Sequence, residues 1–464
     1  MVLWFGFPLL LWLGSLYWRV DLAGYLRSGQ ELIAGYSEAM TVNSGRTSLW
    51  AELNCPFQKP LGVELSWPYL LAIGLVVWWG RGRLVWRAQL LLFLPLSCGL
   101  LLLFKNAFVR ADGMHLFYFY QGLPLLLAVW CLAWRQYAPL RLLFLFSLCY
   151  PLALLSARAQ WNWSTGAESL PLRYAAEVIR YPWSGGADYL QSRLNARYPS
   201  ARLPADIRAT IGQATMDVMP WEVSLAIANG LNYQPRPIPQ SYSAYTPWLD
   251  GLNAHHLAAN NAPDYILFSG AQPAAIDDRP AAWDEAQTKR VLLENYSYQT
   301  KFPLPQKVGQ AVQLKSANTF LLRHTPRVRR LVPVSTNAVV LQLNQTLSIP
   351  TTTNLIFLTL QVDRSVLGKL QSAAFAPALL AVCFQYEDGT SKICRAILPI
   401  LQTGVLVNRR VESEEDIGNW LKAAAFKNPA ITAISFSSAQ PWAIQSPLTG
   451  QLVEYRLQES EVEK

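Results

Sequence analysis

With 464 residues, 52% of them hydrophobic and 15% charged, the chain has room for two or three domains, far more than one small core requires. Its net charge of +9 is uneven: residues 1–158 hold 12 basic and 6 acidic groups, leaving 27 and 24 for the rest. The excess therefore belongs to the first third, which argues against a nucleic-acid footprint and against nucleic acid as a partner.

Five apolar runs precede Arg158, at 1–18, 65–80, 88–104, 116–134 and 140–157. Each has 16 to 19 residues, near the lower limit for crossing a hydrocarbon core of about 30 Å as a helix. Trp78, Trp79, Trp130 and Trp134 lie at their ends, where indole rings favour the headgroup level. Short loops rich in arginine (Arg81, Arg83 and Arg87; Arg135 and Arg141) face the cytoplasm by the positive-inside rule. The expectation is a multi-pass α-helical membrane region of about five spans in a bacterial cytoplasmic (inner) membrane, with the lipid bilayer as partner. Loops 21–64 and 105–115, and everything after Arg158, then lie on the extracytoplasmic side. Residues 1–18 lack the basic flank and cleavage site of a secretory signal and read as a retained span. An apolar run that begins at residue 1 also suggests helices missing upstream.

Residues 159–330 read as an extracytoplasmic α/β domain. In chain order come a strand at "ATMDVMP", a helix at "WEVSLAIANG" closed by Gly230, an extended "QPRPIPQ", a helix in "TPWLDGLNAHHLAANN" and a strand at "PDYILFSG". Thr246 followed by Pro247 is a good N-cap and first-turn pair. The β-α-β-α-β order predicts parallel strands. Residues 331–458 read as a β-sandwich of about seven short strands with one helix, "EEDIGNWLKAAAF", and 459–464 as a disordered tail.

Cys98, Cys131 and Cys149 fall in the apolar runs and behave there as small apolar residues. In "CFQYEDGTSKIC" an Asp388–Gly389 turn would set Cys383 opposite Cys394 on a hairpin and permit a disulfide. No metal-ligand spacing, P-loop, GxGxxG or GxSxG occurs, so no metal or cofactor is expected. Sequons at Asn162, Asn295 and Asn344 matter only in a host that glycosylates them.

Two stretches carry candidate chemistry. "KNAFVRADGMHLFYFY" places Lys105, Arg110, Asp112 and His115 between two apolar runs. Arg110 and Lys105 suit a phosphate or diphosphate headgroup. Asp112 would serve as base or hydroxyl-orienting group and His115, three residues on and on the same helix face, as proton shuttle. The plain alternative is that Lys105 and Arg110 reach anionic lipid while Asp112 caps the next helix. The loop with Asp21, Glu31 and Glu38 offers a further carboxylate for the same cavity, or a solvated surface.

The second stretch, "NYQPRPIPQSYSAYTPWLDGLNAHH", has Tyr242, Tyr245 and Trp248 as flat faces for sugar rings. Gln240, Asn253, His255 and His256 are its hydrogen-bonding groups. Asp277, Asp278 and Arg279 follow the next strand and would reach the same edge of the sheet. The alternative is that these aromatics pack domain to domain or domain to membrane.

This layout of spans, charged outer loop and large C-terminal domain resembles the GT-C class of bacterial membrane glycosyltransferases. "GYSEAM", "FVRADGMH" and "PRPIPQSYSAYTPWLDGLNAHH" also look like blocks of a bacterial membrane-protein family. The resemblance implies a polyprenyl-phosphate-linked sugar as donor, a glycan acceptor, Arg110 and Lys105 on the lipid phosphate, and Asp112 or Glu38 on the acceptor. The class generally has more spans than five. The rival expectation is a non-enzymatic, membrane-anchored glycan-binding or envelope-assembly protein. A transporter is disfavoured because the runs hold almost no charge.

Overall fold

The computed structural model describes residues 14, 22–41, 86–108, 119, 122–128, 131, 141–147, 202–269, 276–308, 313–374, 376–422 and 430–459. The chain divides into two compact units: Met1–Ala39, Leu194–Lys369 and Ala378–Lys464 form the first, Met40–Arg193 and Leu370–Pro377 the second.

The expected membrane region of about five spans is overturned, and with it the multi-pass placement in a bacterial inner membrane. No helix of the described residues is long and apolar enough to cross a membrane. Helix α1 (Leu22–Met40) has 19 residues, but it carries Arg27, Glu31 and Glu38 and uses Glu38 inside the protein. Helix α2 (Trp86–Phe108) carries Arg87, Gln89 and Lys105 and contains Pro95. Lys105 is engaged by protein: its Nζ donates to the carbonyls of Ser372 (2.6 Å) and Ala373 (3.1 Å), and burial lowers its pKa. Apolar residues of the second unit pack on one another in part, while Leu94, Leu101, Leu102, Leu125, Leu142 and Leu145 are exposed. Leu123, Leu127 and Leu143 are buried, and a Cβ on Gly122 would come within 2.8 Å of Leu103. Of the runs at 1–18 and 65–80, only Gly14 is described.

In the first unit, α3 (Ala205–Ile211) leads into β1 (Thr215–Met219), α4 (Ser224–Ala228), β2 (Asn232–Tyr233), α5 (Pro247–Ala258), β3 (Tyr265–Ser269) and α6 (Ala286–Asn295). Two long antiparallel strands, β4 (Tyr296–Val308) and β5 (Gln313–His324), complete a five-stranded sheet of order β2-β1-β3-β5-β4. Strands β2, β1 and β3 are parallel, with Met216 beside Tyr265 and Met219 beside Phe268. Helix α4 ends at a left-handed Gly230, φ 62°. Helix α5 starts where Thr246 Oγ1 accepts the Leu249 N–H and Pro247 supplies the first turn. Local patterning does not mark the last two strands, because their alternation is broken by Pro303, Pro305 and several polar residues.

From Arg329 the chain forms two four-stranded antiparallel sheets. One has the order β10-β9-β12-β7, from Ser391–Ala396, Leu380–Tyr386, Ile431–Ser437 and Thr346–Ser348. The other has the order β11-β8-β13-β6, from Val405–Leu406, Leu355–Gln361, Leu448–Glu459 and Arg329–Leu341. Strand β8 is buried on both faces. Its Leu355 and Phe357 join a core with Phe268, Leu292, Leu293 and Phe320 of the α/β part, and its alternate residues Ile356 and Leu358 are buried on the opposite face. Helix α7 (Val366–Ala374) follows β8, and helix α8 (Glu414–Leu421) begins at a capping box between Ser413 and Asp416. Helix α8 sets Ile417, Trp420 and Leu421 into the shared core.

The Cys383–Cys394 pairing does not form. The hairpin loop is one residue longer than a two-residue turn: Tyr386 N–H donates to Thr390 O, and Gly389 takes φ 79°. Cys383 therefore opposes Ile393, and Cys394 opposes Val382. A one-residue shift sends the two thiols to opposite faces of the sheet, and both are free.

Because Thr246 is buried and caps the helix beneath the candidate site, Thr246→Ala is expected to cost about 1–2 kcal/mol in urea unfolding. A loss within error of zero would show that the cap does not hold α5.

Candidate functional site

Arg236 builds the site from beneath. It lies between two prolines in "QPRPIPQ" and is 1% exposed, so each donor must be met by protein. Nη1 binds Asp217 Oδ2 of β1 (2.9 Å) and Val218 O (2.8 Å), and Nε binds Glu285 Oε1 (3.1 Å). Nη2 binds the carbonyls of Pro220 and Pro239, each at 2.8 Å, and Ser241 Oγ at 3.2 Å. Asn253 of α5 extends this frame by giving Nδ2 to Glu285 Oε1 (2.5 Å) and bonding both the N–H and the carbonyl of Ile238. Burial raises the Asp217 carboxyl despite the adjacent guanidinium. Asp250, one turn before Asn253, accepts the N–H groups of Gln287 and Thr288 in the first turn of α6; burial pushes its carboxyl up to about 6.

This frame supports a cleft at the carboxyl ends of β1 and β3. The chain leaves β1 toward β2 on one side and returns as β3 on the other, so the crevice between their ends is the sheet's switch point, where open α/β sheets take ligands. It encloses about 750 Å³, open solvent included. Trp221 stands just beyond β1, Ser241 on the Arg236 loop, and Ser269 at the end of β3. Asp284 and Arg290 come from the α6 side and Trp420 from α8. Phe268 and Phe357 add aromatic wall, and the Arg290 guanidinium stands 5.4 Å from the Phe357 ring centre.

The cleft's charged groups are already positioned. Asp284 Oδ1 accepts from Arg279 (3.2 Å) and Arg290 Nη2 donates to Thr403 O (2.6 Å). Lys289 Nζ donates to Ala281 O (2.6 Å) and Asp284 O (2.5 Å), and burial lowers its pKa. The chain is strained beside them: Asp277, Asp278 and Glu285 all take left-handed φ of 54–60° without being glycine.

The candidates from the sequence are dispersed. Tyr245 is buried against α1; its hydroxyl donates to Leu32 O (2.5 Å), burial pushes its pKa up to about 12, and Gly35 gives its ring room. Trp248 is covered by the Arg27 guanidinium, 3.5 Å from the ring centre. Tyr242 stands edge-on to the cleft residue Trp221 at 5.6 Å, while its carbonyl accepts from Arg279. His255 is exposed on α5, and Asp277 is half-buried in the strained segment. Glu38 is held by Arg364 Nε (2.5 Å), and the carbonyls at the end of α1 accept from Arg279 and Arg395. Arg110, Asp112, His115 and Asp21 lie outside the described residues.

Sequence reasoning passed over Arg236, Arg364 and Arg395. Only Arg236 had a visible signal, as the one charged residue between Glu222 and Asp250, set between two prolines. The others are ordinary strand and loop arginines until the fold buries them. Comparison of the chain with protein-family models, with characterised proteins and with solved structures found no match.

Glu222, next to Trp221, has its carboxyl raised by burial to about 7, with the Trp221 N–H (3.4 Å) opposing in part. A raised carboxyl favours the folded state at pH values below the ordinary 4.5, and that advantage is lost as pH climbs toward 7. Glu222→Gln is therefore expected to match wild type near pH 4 and to exceed it at pH 8 by on the order of 3 kcal/mol in urea unfolding. A difference independent of pH would show that Glu222 does not carry this proton.

Proposed function

We propose that the chain is a glycan-binding protein whose cleft takes a saccharide ring. The observation that carries this reading is the switch-point cleft, with aromatic walls at Trp221 and Trp420 and a sparse polar edge at Ser241, Ser269, Asp284 and Arg290. A pyranose has one apolar C–H face and a rim of hydroxyls, so an indole wall and a few fixed donors and acceptors match it. Binding is favoured over chemistry because Asp284 and Lys289 are tied to protein partners, which suits orienting a ligand more than exchanging protons with it. Transfer from a polyprenyl-phosphate sugar, with a glycan acceptor, would rest on Arg110, Asp112 and His115, outside the described residues.

Titration of the purified full chain against neutral oligosaccharides should find a ligand that Trp221→Ala weakens at least tenfold, about 1.4 kcal/mol. His255→Ala, on the exposed face of α5, should bind as wild type. Equal affinity of wild type and Trp221→Ala, or no saccharide bound by either, would rule the reading out.

A further inference from the structure

A second pocket, of about 420 Å³ with open solvent included, shares Ala281, Ala282, Leu406 and Val411 with the cleft wall. Its charged lining is unbalanced: four cations, Arg279, Lys392, Arg409 and Arg410, surround one carboxylate, Glu412. Lys392 Nζ (3.2 Å) and Arg410 Nε (2.9 Å) share that carboxylate, which also accepts from the Tyr386 hydroxyl (2.6 Å), while Arg410 Nη1 lies 3.8 Å from Asp388 Oδ2 on the hairpin loop. Arg409 gives Nη2 to the neutral carbonyl of Thr352 (2.6 Å), and Arg279 is paired with Asp284. Burial alone would raise the Glu412 carboxyl, but the bonds from Tyr386, Lys392 and Arg410 outweigh it and hold it below its ordinary value. The inner wall is aromatic, with Trp283 edge-on to Phe384 at 5.5 Å and the Trp283 indole N–H taken up by Leu406 O.

We propose that this pocket binds a small organic oxyanion, a carboxylate or phosphate carried on a ring. Lys392 and Arg410 meet the oxyanion, and the ring lies against Trp283 and Phe384. The side chains of Lys392 and Arg410 are 46% and 31% exposed, so they can turn from Glu412 toward an entering ligand, and the planar Arg410 fork matches either oxyanion. Glu412 keeps the two cations aimed at the pocket when it is empty and competes with the ligand when it is filled. The site does not depend on what the neighbouring cleft binds.

Calorimetric titration of the full chain at low ionic strength, with glucuronate, glucose 6-phosphate, inorganic phosphate and neutral glucose, tests the proposal. Glucuronate or glucose 6-phosphate should bind more tightly than inorganic phosphate, and which of the two binds better separates a carboxylate from a phosphate ligand. Arg410→Gln should weaken the anion at least tenfold, and Glu412→Gln should tighten it several-fold by removing the competitor. The exposed substitution Lys392→Met makes the same comparison if Arg410→Gln fails to fold. Binding of a neutral oligosaccharide should be untouched by Lys392→Met, so this proposal and the cleft reading fail separately. Absence of anion binding by both wild type and Glu412→Gln, or unchanged affinity in the cation variants, overturns it.

Discussion

Burial of the Arg236 guanidinium is the constraint on which the α/β part of this molecule is built. A charge removed from water must recover its hydration from protein, and Arg236 does so with two carboxylates, three carbonyls and a hydroxyl. Those acceptors come from β1, from the turn after it, from the loop after β2 and from the start of α6. Satisfying one side chain therefore fixes four pieces of backbone relative to one another. Pro220 and Ser241, which it holds, are also walls of the cleft. The site inherits its geometry from a group that lies below it.

A second constraint joins the α/β part to the β-rich part. Strand β8 is buried on both faces, so it cannot belong to an independent sandwich with one wet surface. Leu355 and Phe357 share a core with Phe268, Leu292 and Phe320, and the capped helix α8 adds Ile417 and Trp420. Each large apolar side chain so buried contributes roughly 1.5–3 kcal/mol, enough together to hold the two parts as one body. The cleft and the basic pocket both draw residues from each side of this joint, which explains why neither belongs to a single sequence segment.

Helix α1 shows how an apparent site can become an interface. Its terminal carbonyls, which have no partner within the helix, accept from Arg279 and Arg395, and its Glu38 meets Arg364. Tyr245 and Trp248, which have the flat faces a sugar would want, are spent on Leu32, Gly35 and Arg27 of the same helix. Aromatic residues beside polar ones mark surfaces that bind something, and residue type alone does not say whether the partner is a ligand or another part of the chain.

Local elements were legible in the sequence where their signals are local. The Thr246–Pro247 start of α5, the glycine after α4, the buried strands at Thr215–Met219 and Tyr265–Ser269, and the acidic start of α8 all follow from capping, punctuation and short apolar runs. The apolar runs before Arg158 read as spans because hydropathy records only that a side chain avoids water. Leu123 and Leu127 avoid it inside protein, whereas Leu125 between them is exposed, a difference that a linear pattern does not show. The hairpin holding Cys383 and Cys394 turned on one residue of loop length, since strand faces alternate with a period of two. The sequence by itself determined where several elements begin and end and which residues must be buried. Only the tertiary structure decided what they are buried against, that Arg236 and not the tyrosines frames the cleft, and that Lys392 of β10 joins Arg410 on the Glu412 carboxylate, because each of these depends on separate parts of the chain meeting at contact distance.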